Sequence, residues 1–138
     1  MREILFRAKR LDNGEWVEGD LRHGGYANND SETYIMKSDY ALHNIPVDPE
    51  TVCQFTGLTD KNGVKIFEGD IVRDYDEENE VFVVKYYAHS GYAAFDVEPE
   101  INCDCNGLSY LMALGSAEVI GNIFDNPELM GGEIDVHM

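Results

Sequence analysis

The stretch "KNGVKIFEGDIV", residues 61–72, holds a turn, a strand and a second bend in quick succession. Asn62-Gly63 between apolar runs is the strongest short hairpin signal, because both residue types tolerate positive φ. Further on, Gly69 permits a bulge or a positive φ where the strand bends. Asp70 is placed to accept a backbone N–H across that bend. A shorter version, "DNGEWVEGDL" at residues 12–21, sets Asn13-Gly14 ahead of Trp16-Val17 and Glu18-Gly19-Asp20-Leu21. On this reading Gly19, Asp20, Gly69 and Asp70 are structural turn residues. The alternative pairs Asp20 and Asp70, with Glu18 and Glu68, as a divalent-metal site between two related halves, the basis of a metal-dependent hydrolase. Glu-Gly-Asp at a strand start needs no chemistry to explain it, so the turn reading is preferred.

Working outward, the chain is rich in short strand signals. "ILFRA" (4–8), "EWVEGDLR" (15–22) and "TYIMK" (33–37) lie upstream, and "SDYALHN" (38–44) suits one helical turn. "IPVDPETVCQFTGL" (45–58) is an extended connection with two prolines that ends in a short strand. Downstream, the run from "EGDIVRD" through "EVFVVKYY" (80–87) to "YAAFDVE" (92–98) reads as a strongly bent meander, with "EVIGNIF" (118–124) as a closing strand. "GLSYLMALG" (107–115) has a period that fits either a short helix or a buried strand. The expected fold is mainly β: a small SH3-like barrel with an additional N-terminal β layer and little helix. The layer spans residues 1–46, the barrel-like core 47–130 and a flexible tail 131–138. Ile71, Val81, Val83, Phe95, Val119 and Ile123 are expected in the core.

Charge narrows the function. The 138 residues carry a net charge of −17. Residues 1–69 hold eight Lys/Arg and twelve Asp/Glu, whereas residues 70–138 hold two and fifteen. Such a chain repels phosphate backbones, so direct nucleic-acid binding is not expected. "MREILFRAKR" lacks the apolar core of a secretory signal, and no apolar run approaches the ~18 residues that cross a bilayer. Cys53, Cys103 and Cys105 form an odd set without a regular framework, which fits a reducing cytoplasm.

Three stretches resemble a known family. "VDPETVCQFTGLTDKNGVKIFEGDIV" (47–72) looks like the central signature of the YopX family of phage and prophage proteins. "REILFRAK" (2–9) resembles its N-terminal stretch and "EVIGNIFDNPEL" (118–129) its C-terminal one. Cys53 departs from the pattern, where relatives carry a small residue. The resemblance implies a β-rich protein encoded in mobile genetic elements, and it carries over no activity and no catalytic residue.

No chemical motif stands out beside this. Cys103 and Cys105 are closer together than zinc-knuckle ligands, and Cys53 and His89 add no supporting spacing. His23, His43, His89 and His137 are scattered, without an ordered nucleophile. Tyr86, Tyr87, Tyr92 and Phe95 suit cross-strand pairs better than a base-stacking face amid so many acids. No cofactor and no metal are expected. The remaining candidate is "DYDEENE" (74–80), where Asp74, Asp76, Glu77, Glu78 and Glu80 come without a basic residue. On a loop between strands they would project into solvent, either as a solubility device or as a face that steers a basic partner. The expected function is a non-enzymatic phage accessory protein that binds another, basic protein in the host cytoplasm, with neither a nucleic acid nor a membrane as partner. A structural, oligomer-building role is the remaining alternative, and a homo-oligomer is compatible with either.

Overall fold

The computed structural model describes residues 4–24, 32–37, 43–75, 80–89, 92–98 and 106–130. Two compact units divide the chain, Met1–Phe55 and Thr56–Met138. The first contains β1 (Phe6–Lys9), β2 (Trp16–His23), β3 (Thr33–Lys37), β4 (His43–Pro46) and a 3-10 turn at Pro49–Thr51, and β5 (Cys53–Thr59) crosses the boundary. The second continues with β6 (Lys65–Phe67), β7 (Asp70–Asp74), β8 (Glu80–His89), β9 (Tyr92–Glu98), α1 (Gly107–Leu114), β10 (Ala117–Asn122) and a 3-10 turn at Pro127–Met130. All pairing is antiparallel, in sheets ordered β4-β3-β2-β1-β5-β6 and β10-β7-β8-β9. The expected β class is therefore present.

In the first unit, the Asn-Gly turn joins β1 to β2: Arg10 N–H donates to Glu15 O at 2.9 Å, and Gly14 has φ 73°. The register sets Ala8 opposite Val17, Leu21 opposite Ile35 and Ile35 opposite Ile45. Alternation therefore collects Ala8, Val17, Ile35, Ile45 and Val47 into one core. On the other face, the Arg7 guanidinium and Lys9 ammonium lie 4.7 and 5.5 Å from the centre of the Trp16 ring. Residues 47–55 belong with these strands. Val47 fills the core, and Lys9 N–H donates to Thr51 Oγ1 at 2.8 Å.

The two Glu-Gly-Asp stretches take different structures. β2 continues unbroken through Gly19-Asp20, where a turn was expected, and its pairing passes there from β1 to β3, with Gly19 opposite Phe6 and Asp20 opposite Met36. Glycine is needed there for space, since a Cβ would lie 2.3 Å from Met36 O. At the second stretch β6 ends, Gly69 takes φ 87°, and the chain passes into the other sheet. Asp70 Oδ2 accepts the Phe67 N–H at 2.8 Å, and Gly69 N–H donates to Val84 O at 2.8 Å.

The core of the second unit gathers Ile66, Val72, Phe82, Val84, Val97, Leu108, Leu111 and Ala117. Ile71 and Val83, on the opposite face of β7 and β8, are also fully buried. Val81, Phe95, Val119 and Ile123, expected inside, are only half-buried. Phe95 and Val119 sit on edge strands, whose outer sides meet no further strand among the described residues.

The meander β7-β8-β9 forms as expected, but the sheet does not close. A barrel would require β10 to pair with β9. Instead both are edges, and their outward backbone groups meet other partners. Val119 N–H donates to Asp60 Oδ2 at 2.9 Å, and Phe95 O accepts from Asn106 Nδ2 at 2.7 Å. Among the described residues there is no closed barrel. "GLSYLMAL" is helix: Leu108 and Leu111 share a buried face, and Asn106 caps the first turn by accepting Ser109 N–H at 2.9 Å.

Candidate functional site

The acidic stretch does not behave as one loop. Asp74 is the last residue of β7, fully buried, and its Oδ1 accepts from Ser116 Oγ at 2.7 Å. It therefore cannot project into solvent, because the strand turns it inward. Glu80 begins β8 directly opposite Asp74 and is exposed. Asp76, Glu77 and Glu78 lie outside the described residues, as do Cys103, Cys105 and the tail.

Charge is still concentrated in this unit. Thr56–Met138 holds four Lys/Arg and seventeen Asp/Glu, whereas Met1–Phe55 holds six and ten. The four cations are already engaged. Lys85 pairs with Glu98 at 2.5 Å, Lys61 and Arg73 face the Tyr75 ring, and Lys65 also has a partner. Few of the carboxylates are neutralised internally.

Lys61 and Arg73 meet at a small surface cluster built by three elements. The β5–β6 turn supplies Lys61 and Asn62, the end of β7 supplies Arg73 and Tyr75, and β10 supplies Glu118. The turn is held against β10 by Asp60, which is buried. Its Oδ1 accepts from Asn62 N–H at 2.8 Å and Val64 N–H at 2.9 Å, while Oδ2 takes the β10 amide of Val119. Register then places Glu118 opposite Arg73. The Tyr75 hydroxyl donates to Glu118 Oε1, and Asn62 Nδ2 donates to Oε2 at 3.0 Å. Lys61 Nζ lies 4.5 Å from the Tyr75 ring centre and 3.9 Å from Glu118 Oε2. The Tyr75 hydroxyl holds the Glu118 carboxyl below the usual carboxylate range, helped by Asn62 and Lys61. The same hydrogen bond pushes the Tyr75 phenol up. Tyr75 remains exposed.

Other candidates have structural roles. Asp70 spends an oxygen on its own turn, while Asp20 is exposed on β2 in the other unit. Among the described residues, no three His, Cys, Asp or Glu side chains gather as metal ligands. Cys53 is buried and its thiol donates to Thr51 O. Tyr86 and Phe95 form a cross-strand pair, edge to face at 5.2 Å. A pocket of about 200 Å³ in the first unit is walled by Leu11, Tyr34, Pro46, Val47 and Pro49. That volume is below the ~300 Å³ at which small-molecule sites begin. Among the described residues no helix is long and apolar enough to cross a membrane.

Comparison with known proteins decides the family. The YopX protein family matches residues 5–131. The chain belongs to the YopX family. A crystal structure of protein EF1440 from Enterococcus faecalis has a similar fold, with TM-score 0.56 and 26% identity. The match covers 94% of this chain and 99% of that one. A search of curated proteins finds no match. Within this YopX-family chain, the Tyr75 cluster was not among the residues singled out from sequence. Glu118 lies more than forty residues from Tyr75, and only the β10–β7 register brings them together. The available signals were the aromatic inside "DYDEENE" and the Asx-turn residue ahead of Asn62-Gly63.

Proposed function

We propose that the protein is a phage-type accessory module without enzymatic activity, acting in the host cytoplasm by binding a basic protein. The observation that carries this is the charge of the second unit: seventeen acidic residues against four basic ones, each of which is already engaged within the chain. Negative potential of this size raises the local concentration of a cationic partner and speeds its arrival. Asp76, Glu77, Glu78 and Glu80 add to it through their charge, whereas buried Asp74 contributes to folding. A nucleic-acid-binding protein, whose own surface is selected to meet negative charge, is the partner class that fits.

The test is calorimetric titration with a Lys/Arg-rich protein at low and moderate salt. Expected is saturable binding that weakens as salt rises, and that weakens further in the triple variant Asp76→Asn, Glu77→Gln, Glu78→Gln. Equal affinity for the triple variant at both salt concentrations would reduce the acidic stretch to a solubility device. The absence of any binding at low salt would remove the proposal.

A further inference from the structure

Resting on that reading, we infer that the Tyr75 ring and the Glu118 carboxylate form the seat for an arginine side chain of the partner. In the free protein Lys61 occupies this seat as a stand-in. The ring faces a cation at 4.5 Å, with a carboxylate oxygen 3.9 Å from the same nitrogen. An aromatic face beside a carboxylate is the surface chemistry that receives a guanidinium, by stacking on one side and by pairing on the other.

Lys61 fills this seat poorly. Its ammonium is farther from Glu118 than a hydrogen bond allows, and its side chain is 35% exposed. An exposed ion pair of this length is weak and screened by salt, so releasing it costs little. An incoming arginine brings a flat, weakly hydrated fork that stacks on a tyrosine better than an ammonium does. Tyr75 and Glu118 are meanwhile held in place without Lys61. The phenol is bonded to Glu118 Oε1, Oε2 is held by Asn62, and the Tyr75 N–H donates to Ser116 O. Arg73, 5.9 Å from the ring and set in β7, stays where it is during the exchange. Tyr75 immediately precedes Asp76 in sequence, so the seat belongs to the strongly acidic half of the chain. A partner drawn in by the general field therefore arrives where one arginine can be recognised.

The experiment titrates the full chain with hexa-arginine and hexa-lysine peptides, read by calorimetry and by tyrosine fluorescence. The wild type is expected to favour the arginine peptide by about two- to fivefold, the range of an exposed cation–π contact. Lys61→Ala should tighten arginine binding by more than Lys65→Ala does. Lys65→Ala removes the same charge from the neighbouring strand without touching the Tyr75 ring or Glu118, and so serves as the control for the field effect. Tyr75→Leu should abolish the preference while leaving binding to both peptides, and Tyr75→Phe, which keeps the ring, should retain it. Equal effects of Lys61→Ala and Lys65→Ala would overturn the seat, as would a preference that survives Tyr75→Leu or vanishes in Tyr75→Phe. If neither peptide binds the wild type at low salt, the broader acidic-module reading fails first.

Discussion

At single residues, two glycines with the same neighbours are constrained in different ways. Gly69 is held at φ 87°, where an L side chain is strained. Gly19 has ordinary strand geometry but no room, with Met36 O and Ile35 Cγ2 at 2.3 and 2.9 Å from a Cβ. Gly69→Val is expected to cost about 1–3 kcal/mol, and Gly19→Ala a similar or larger amount through overpacking. Urea denaturation measures both, and an unchanged midpoint for Gly69→Val would remove the role given to that bend. A pH effect belongs to this scale too. The Glu118 pKa is lowered, so its contribution is present above the unfolded carboxylate pKa of about 4.3 and is lost as pH falls through the folded value. The Tyr75 pKa is raised, so its contribution is complete below the unfolded value of about 10 and is lost as pH rises through the folded one. Removing the Glu118 charge leaves Arg73, which pulls the phenol the other way. Glu118→Gln should therefore move the Tyr75 titration downward. Ultraviolet difference titration, with Tyr75→Phe identifying the signal, checks this, and a curve unmoved by Glu118→Gln would contradict the assigned hydrogen bond.

At the scale of elements, the turn residues do more than turn the chain. Asp60 shapes the β5–β6 hairpin and also satisfies the exposed edge of β10 through the Val119 amide. Asn106 works at the opposite edge, capping α1 while binding the Phe95 carbonyl of β9. These contacts protect the edges of a sheet that does not close. Asp60→Asn exchanges one acceptor oxygen for a donor, so either the Val119 N–H or the Asn62 and Val64 N–H pair loses its partner. The expected cost is about 1–3 kcal/mol, accompanied by faster amide exchange at Asn62, Val64 or Val119. Exchange at wild-type rates for all three would show that the edge does not depend on Asp60. The element types were largely legible beforehand. Most strands from "ILFRA" to "AEVIGNIF" and both Asn-Gly turns follow from alternation and from residues that tolerate positive φ, as Gly14 and Gly63 do, whereas β4 begins at His43 inside the stretch expected to make a helical turn. The bend at one Glu-Gly-Asp and the unbroken strand at the other were not, since the tripeptide is the same and the neighbouring strands differ.

For the whole molecule, −17 is a load on folding as well as a lure for partners. Repulsion is greatest where seventeen acids share four cations, and salt screens it more than it weakens the few surface pairs. Raising ionic strength at neutral pH should therefore raise the melting temperature by several degrees. Trp16, the single tryptophan, reports the first unit by fluorescence, and its shift should be the smaller part of the effect, because that unit carries six cations against ten acids. A melting temperature that falls with salt would mean that local pairs outweigh the overall repulsion. The sequence by itself determined the β class, the two Asn-Gly turns, the charge imbalance and the family signatures, because these depend on local conformational preference, on composition or on short contiguous motifs. Only the tertiary structure decided that the sheet stays open, that Asp74 points inward and that Tyr75 meets Glu118. Each of those depends on which strand lies beside which and in what register, and that is settled by burial summed over distant segments rather than by any stretch read alone.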